Sequence, residues 1–73
     1  MINSDTSPEE GTYMFKEGAM YPLYIFLGDD ILDGDMYIVR NVETEAAYKE
    51  LSTDLREATK EEIQFYLNRK GNI

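Results

Sequence analysis

Residues 21–42 read Tyr-Pro-Leu-Tyr-Ile-Phe-Leu-Gly-Asp-Asp-Ile-Leu-Asp-Gly-Asp-Met-Tyr-Ile-Val-Arg-Asn-Val. Two runs rich in β-branched and aromatic residues, Tyr21 to Leu27 and Met36 to Val42, flank a connection of four Asp and two Gly, Gly28 to Asp35. Such runs bounded by turn residues predict strands. The first run is apolar on both faces, which predicts a central strand. Pro22 belongs at its start, where a missing N–H is tolerated. Within the connection Asp33-Gly34 is a strong turn signal, and Gly34 is free to take positive φ.

Outward from this pair, Thr12-Tyr13-Met14-Phe15-Lys16 predicts a short strand, closed by a turn at Glu17-Gly18. Residues 1–10 are polar and aperiodic and read as a mobile acidic terminus, with residues 11–73 a single domain. Residues 44–52 carry two opposed signals. Ala46, Ala47, Lys49, Glu50 and Leu51 favour helix on propensity, whereas the short polar break after a strand favours a hairpin return. The hairpin return prevails, which predicts a strand over about residues 46–51. Thr59-Lys60-Glu61-Glu62 is a capping box, and Ile63, Tyr66 and Leu67 follow the i, i+3, i+4 pattern of one helical stripe. Glu61 and Glu62 stand at the positive end of that helix, Arg69 and Lys70 at the negative end, and Gly71 suits the position just past it. The fold class expected is α+β: a small antiparallel sheet or SH3-like partial barrel of three to four strands with one C-terminal helix.

Seventy-three residues bury one small core, and such a core leaves little stability in reserve. The chain has no Cys, hence no disulfide and no thiolate metal site. Oligomerisation is the remaining common staple, so a homodimer is one expectation. No run of about 20 apolar residues is present, which excludes a helical membrane span, and no basic segment precedes an apolar one as in a signal peptide. A cytoplasmic location follows as the expectation. The chain also has no His, no Gly-rich phosphate loop and no Ser beside a recognisable partner. No catalytic residue, metal or cofactor is expected.

The charge is segregated. Residues 1–35 hold eight acids and one base, a net of −7 out of a formal −8 for the whole chain. With a pI near 4.3, direct nucleic-acid binding is disfavoured. Arg69-Lys70, the only basic cluster, reads as helix-terminal charge rather than a phosphate clamp. The Asp-rich connection fails as an EF-hand loop: counting from Asp29 puts Ile31 at the third position and Arg40 at the twelfth, where oxygen ligands are required. A solvated turn is favoured there over a cation site. Tyr13, Phe15, Tyr21, Tyr24, Phe26 and Tyr37 offer a binding platform in principle, but aromatic residues on strands more often form core. What remains is a folded acidic surface, which points to a basic partner.

The stretch Asp54-Leu55-Arg56-Glu57-Ala58-Thr59-Lys60-Glu61-Glu62-Ile63 resembles the tail of small phage proteins with an SH3-like barrel, in which a last strand runs through a short turn into a capped helix. In size, acidity and lack of catalytic groups the chain also resembles the phage host-takeover inhibitors that mimic DNA, among them the small acidic Bacillus phage inhibitors of the nucleoid protein HU. That resemblance implies a basic host DNA-binding protein as partner, HU being the best guess, and blockage of its DNA site. Residues i and i+2 of a strand lie about 6.6 Å apart, of the order of neighbouring phosphates. Asp29, Asp30, Asp33 and Asp35 would form the centre of the mimic, Glu9, Glu10 and Glu17 would extend it, and Glu43 and Glu45 would flank it. The rival expectation is an SH3-like protein–protein interaction or assembly module whose acids serve only solubility.

Overall fold

The computed structural model describes residues 8–71. Five strands and one helix follow in order: β1 Tyr13–Phe15, β2 Leu23–Asp29, β3 Met36–Asn41, β4 Ala47–Leu51, a 3-10 turn at Ser52–Asp54, β5 Arg56–Glu57 and α1 Lys60–Gly71. All neighbouring strands are antiparallel, in the order β4-β3-β2-β1-β5. The sheet is open, since β4 and β5 are its edges, and the architecture is α+β in the manner of a partial barrel. The fifth strand exceeds the three to four expected. It is two residues long and pairs only with Met14 and Phe15, too short to leave a periodic signature.

β2 occupies the centre, as its two-sided apolar pattern implies. Pro22 immediately precedes it, and the Pro22 carbonyl accepts from the Lys16 amide across the turn. The register slips between Phe26 and Gly28, so that Phe26 faces Val39 but Gly28 faces Ile38. An extra residue of this kind bends a strand and increases its twist. Residues 47–51 pair with β3 throughout, which resolves the ambiguous segment as a strand.

The core is Met14, Tyr24, Phe26, Val39 and Leu55, with Tyr37 packed against it. Val39 is fully buried, and Phe26 and Tyr37 meet edge to face at 4.9 Å. Phe15 and Tyr24 are buried as well, Tyr13 is half-buried, and Tyr21 is exposed. The strand aromatics therefore mainly build core rather than a platform.

The capping box forms: Thr59 Oγ1 accepts from the Glu62 amide at 3.1 Å, and Glu62 Oε1 accepts from the Thr59 amide at 2.9 Å. The apolar stripe does less than its pattern implies. No residue of α1 is buried, and Leu67 is 39% exposed. The helix is held instead by Tyr66 against Phe15 at 5.9 Å and by ion pairs at both of its ends. Two glycine expectations need correction. Gly71 is the last helical residue, and positive φ occurs at Gly11, Gly18 and Glu45 but not at Gly34. The Asp-rich connection turns without it, its Asp30 and Asp33 carboxylates accepting from the backbone amides of Leu32 and Asp35.

Candidate functional site

Because every strand pair is antiparallel, the start of β1, the β2–β3 loop, the exit of β4 and the exit of β5 all lie at one end of the sheet. The β1–β2 and β3–β4 turns lie at the other. This geometry divides the acids into two groups with different fates.

At the turn end the acids are neutralised. Arg56 bonds Glu17 at 2.8 Å and Glu62 at 2.6 Å, and its guanidinium lies 4.5 Å from the centre of the Phe15 ring. Both oxygens of Glu43 bind Arg69, at 2.6 and 2.9 Å, and Glu45 binds Lys70 at 2.8 Å. The first turn of α1 is thus tied to β5 and its last turn to the β3–β4 turn. Pairing to Arg56, helped by the Thr59 amide, pulls the Glu62 carboxyl down to about 2. Glu45 is lowered by Lys70, and Arg69 is raised by Glu43. Of the acids expected to extend and flank an acidic face, Glu43 and Glu45 are therefore engaged in holding the helix, and Glu17 is bound to Arg56 of β5. Arg69 and Lys70 close the helix end as the sequence implies, and each also reaches an acid on a distant turn.

Asn41 builds the β3–β4 turn. Its side chain is buried, its Nδ2 donates to the Tyr21 carbonyl at 2.6 Å, and its Oδ1 accepts from the amides of Glu43 at 2.9 Å and Thr44 at 3.0 Å. One amide thereby joins two turns and presents Glu43 and Glu45 to the helix.

At the loop end the four Asp are not equivalent. The Asp30 side chain is only 9% exposed; its Oδ2 meets Lys49 Nζ at 3.0 Å and its Oδ1 accepts from the Leu32 amide at 3.0 Å. The Leu32 amide first, and then Lys49, hold its carboxyl below the ordinary range. Asp30 is thus a strut of the loop. Asp33 Oδ1 accepts from the Asp35 amide at 3.1 Å, and the Asp35 carbonyl accepts from the Ser52 amide at 2.8 Å. Asp29, Asp33 and Asp35 are exposed, and among the described residues neither Asp33 nor Asp35 takes part in an ion pair.

A groove of about 540 Å³ reaches from this end along β5, and its lining includes Glu9, Met14, Tyr37, Leu55, Glu57 and the ion-paired Arg56. The Glu9 carbonyl accepts from the Thr12 amide, and the Gly11 amide donates to Phe26, so residues 9–11 are bonded to the sheet. The rest of the expected mobile terminus, residues 1–7, lies outside the described residues. Glu9 and Glu10 are exposed. Glu57, not anticipated in the sequence, belongs here because the two-residue β5 carries it to the groove.

Among the described residues, Lys16, Lys49, Arg56, Arg69 and Lys70 are committed to ion pairs. Among the described residues no group of three or more potential ligands is arranged to hold a metal ion, and no helix is long and apolar enough to cross a membrane. Comparison with protein-family models, with curated proteins and with solved structures found no match to this chain.

Proposed function

We propose that this protein binds a basic DNA-binding protein through the loop end of its sheet and occupies the surface that would otherwise hold DNA, in the manner of phage-encoded inhibitors. The nucleoid protein HU is the best candidate, and the action would take place in the host cytoplasm. The observation that carries this reading is the polarisation of charge: acids at the turn end are consumed by Arg56, Arg69 and Lys70, whereas among the described residues Asp33, Asp35, Glu9 and Glu57 at the loop end form no ion pair. Charge fixed on a hydrogen-bonded loop is preorganised, which lowers the ordering cost of binding. It also steers a cationic partner and raises the association rate at low salt.

One observation favours a rival class. The groove has an apolar lining in Met14, Tyr37 and Leu55 and would suit a protein–protein interaction module that receives a peptide. Salt separates the two. Charge-led binding to HU weakens steeply between 50 and 300 mM NaCl (an illustrative range across which the screening length falls below about 10 Å), whereas binding through an apolar groove changes little. Asp33, Asp35, Glu9 and Glu57 changed together to Asn or Gln should abolish most of the salt-sensitive part. HU binding that ignores both salt and these four substitutions would sink the assignment.

A further inference from the structure

Ile31 and Leu32 are 95% and 91% exposed, side by side at the tip of the β2–β3 loop. Hydrogen bonds hold the backbone of the loop around them. The Leu32 amide is held by Asp30 Oδ1, the Asp33 amide by the Asp30 carbonyl, and the Met36 amide by the Asp33 carbonyl. Asp30 is itself anchored by Lys49 on β4. Two adjacent aliphatic side chains on a hydrogen-bonded turn, almost wholly exposed, offer an apolar point that a partner can cover. Their flank is chemically specific. Asp33 and Asp35 follow directly, exposed and outside any ion pair, so a partner seated on Ile31 and Leu32 meets negative charge beside an apolar surface.

That combination fits a basic partner that carries an apolar wedge. Basic proteins that bend DNA insert an apolar side chain between base steps while their Lys and Arg hold the adjacent phosphates. On DNA the wedge meets the faces of unstacked bases, bordered by negative charge. We propose that Ile31 and Leu32 stand in for those base faces, receiving the apolar wedge of the DNA-bending partner while Asp33 and Asp35 take the place of the flanking phosphates. This rests on the DNA-mimic reading above and adds to it an apolar contact that charge alone does not supply.

The test measures HU binding by titration calorimetry with wild type, I31S/L32S and D33N/D35N at several NaCl concentrations. Loss of two buried aliphatic contacts should weaken binding by about tenfold or more and leave the salt slope unchanged, whereas D33N/D35N should flatten the slope. The I31S/L32S loss should vanish against an HU variant whose wedge residue is alanine. A second measurement uses the wild-type protein alone: the methyl resonances of Ile31 and Leu32 should shift on adding HU. Wild type that binds HU with unmoved methyls, or with unchanged affinity in I31S/L32S, overturns the wedge contact and leaves the charge reading standing. Wild type that does not bind HU overturns both.

Discussion

Alanine at Asn41 should cost this domain a large part of its stability. One side-chain amide, 2% exposed as a residue, serves three backbone groups: the Tyr21 carbonyl and the amides of Glu43 and Thr44. A buried polar group left without a partner costs about 1–3 kcal/mol. Thr44 is exposed, so its amide recovers a bond to water, while Glu43 is half-buried and recovers less. The penalty thus falls mainly on the Tyr21 carbonyl and the Glu43 amide, for a total of about 2–4 kcal/mol. A domain of this size has roughly 4–11 kcal/mol in all, taking 0.05–0.15 kcal/mol per residue. With a urea dependence of about 1 kcal/mol per molar, the unfolding midpoint should drop by about 2–4 M, read by far-ultraviolet circular dichroism. The damage should also travel: Glu43 and Glu45 lose their fixed turn, so the last turn of α1, held by Arg69 and Lys70, should lose amide exchange protection. A midpoint within about 0.5 M of wild type, together with unchanged protection at residues 66–70, would refute the argument that this amide organises the turn.

Acid should loosen the helix. The folded Glu62 carboxyl is lowered to about 2 from an ordinary 4.5, so its contribution to stability is present above the ordinary value and is lost as pH falls through the window from about 5 to 2. Asp30 and Glu45, also lowered, act in the same direction. Melting temperature should therefore decline from pH 6 to pH 3, and decline less in E62Q; equal declines in the two proteins would remove Glu62 as a cause. Asp30→Ala should speed amide exchange at Leu32 and Asp33 while leaving the core amides of Val39 protected. Unaltered exchange in the loop would mean that the buried carboxylate does not hold it.

β1, β2 and β3 were legible because each carries a local signal. Tyr21 to Leu27 and Met36 to Val42 announce themselves by composition, and the Thr59–Glu62 capping box is a four-residue chemistry that forms as written. β5 was not legible: two residues carry no period, and Arg56–Glu57 exist as a strand only because β1 has a free edge beside them. The site was partly legible. Which end of the sheet each acid occupies depends on register, and which acids keep their charge unpaired depends on partners far along the chain, such as Arg69 for Glu43, 26 residues away. Asp30 reads like its neighbours but lies against Lys49, so its role follows from packing and not from composition. Two signals were nonetheless available. Ile31-Leu32 is an apolar pair inside an Asp/Gly turn, where polar residues are the rule, and Asn41 stands where a strand ends, the usual place for a side chain that bonds the next turn.

The central claim is that the unpaired acids at the loop end occupy a DNA-binding surface. Its most direct test is displacement: a fluorescent duplex bound to HU, titrated with this protein and followed by anisotropy at low and at raised salt. Release of the duplex is expected, with simple competitive dependence on DNA concentration and weakening as salt rises. Anisotropy that stays at the DNA-bound value at low salt, or a ternary complex containing HU, DNA and this protein together, would contradict it.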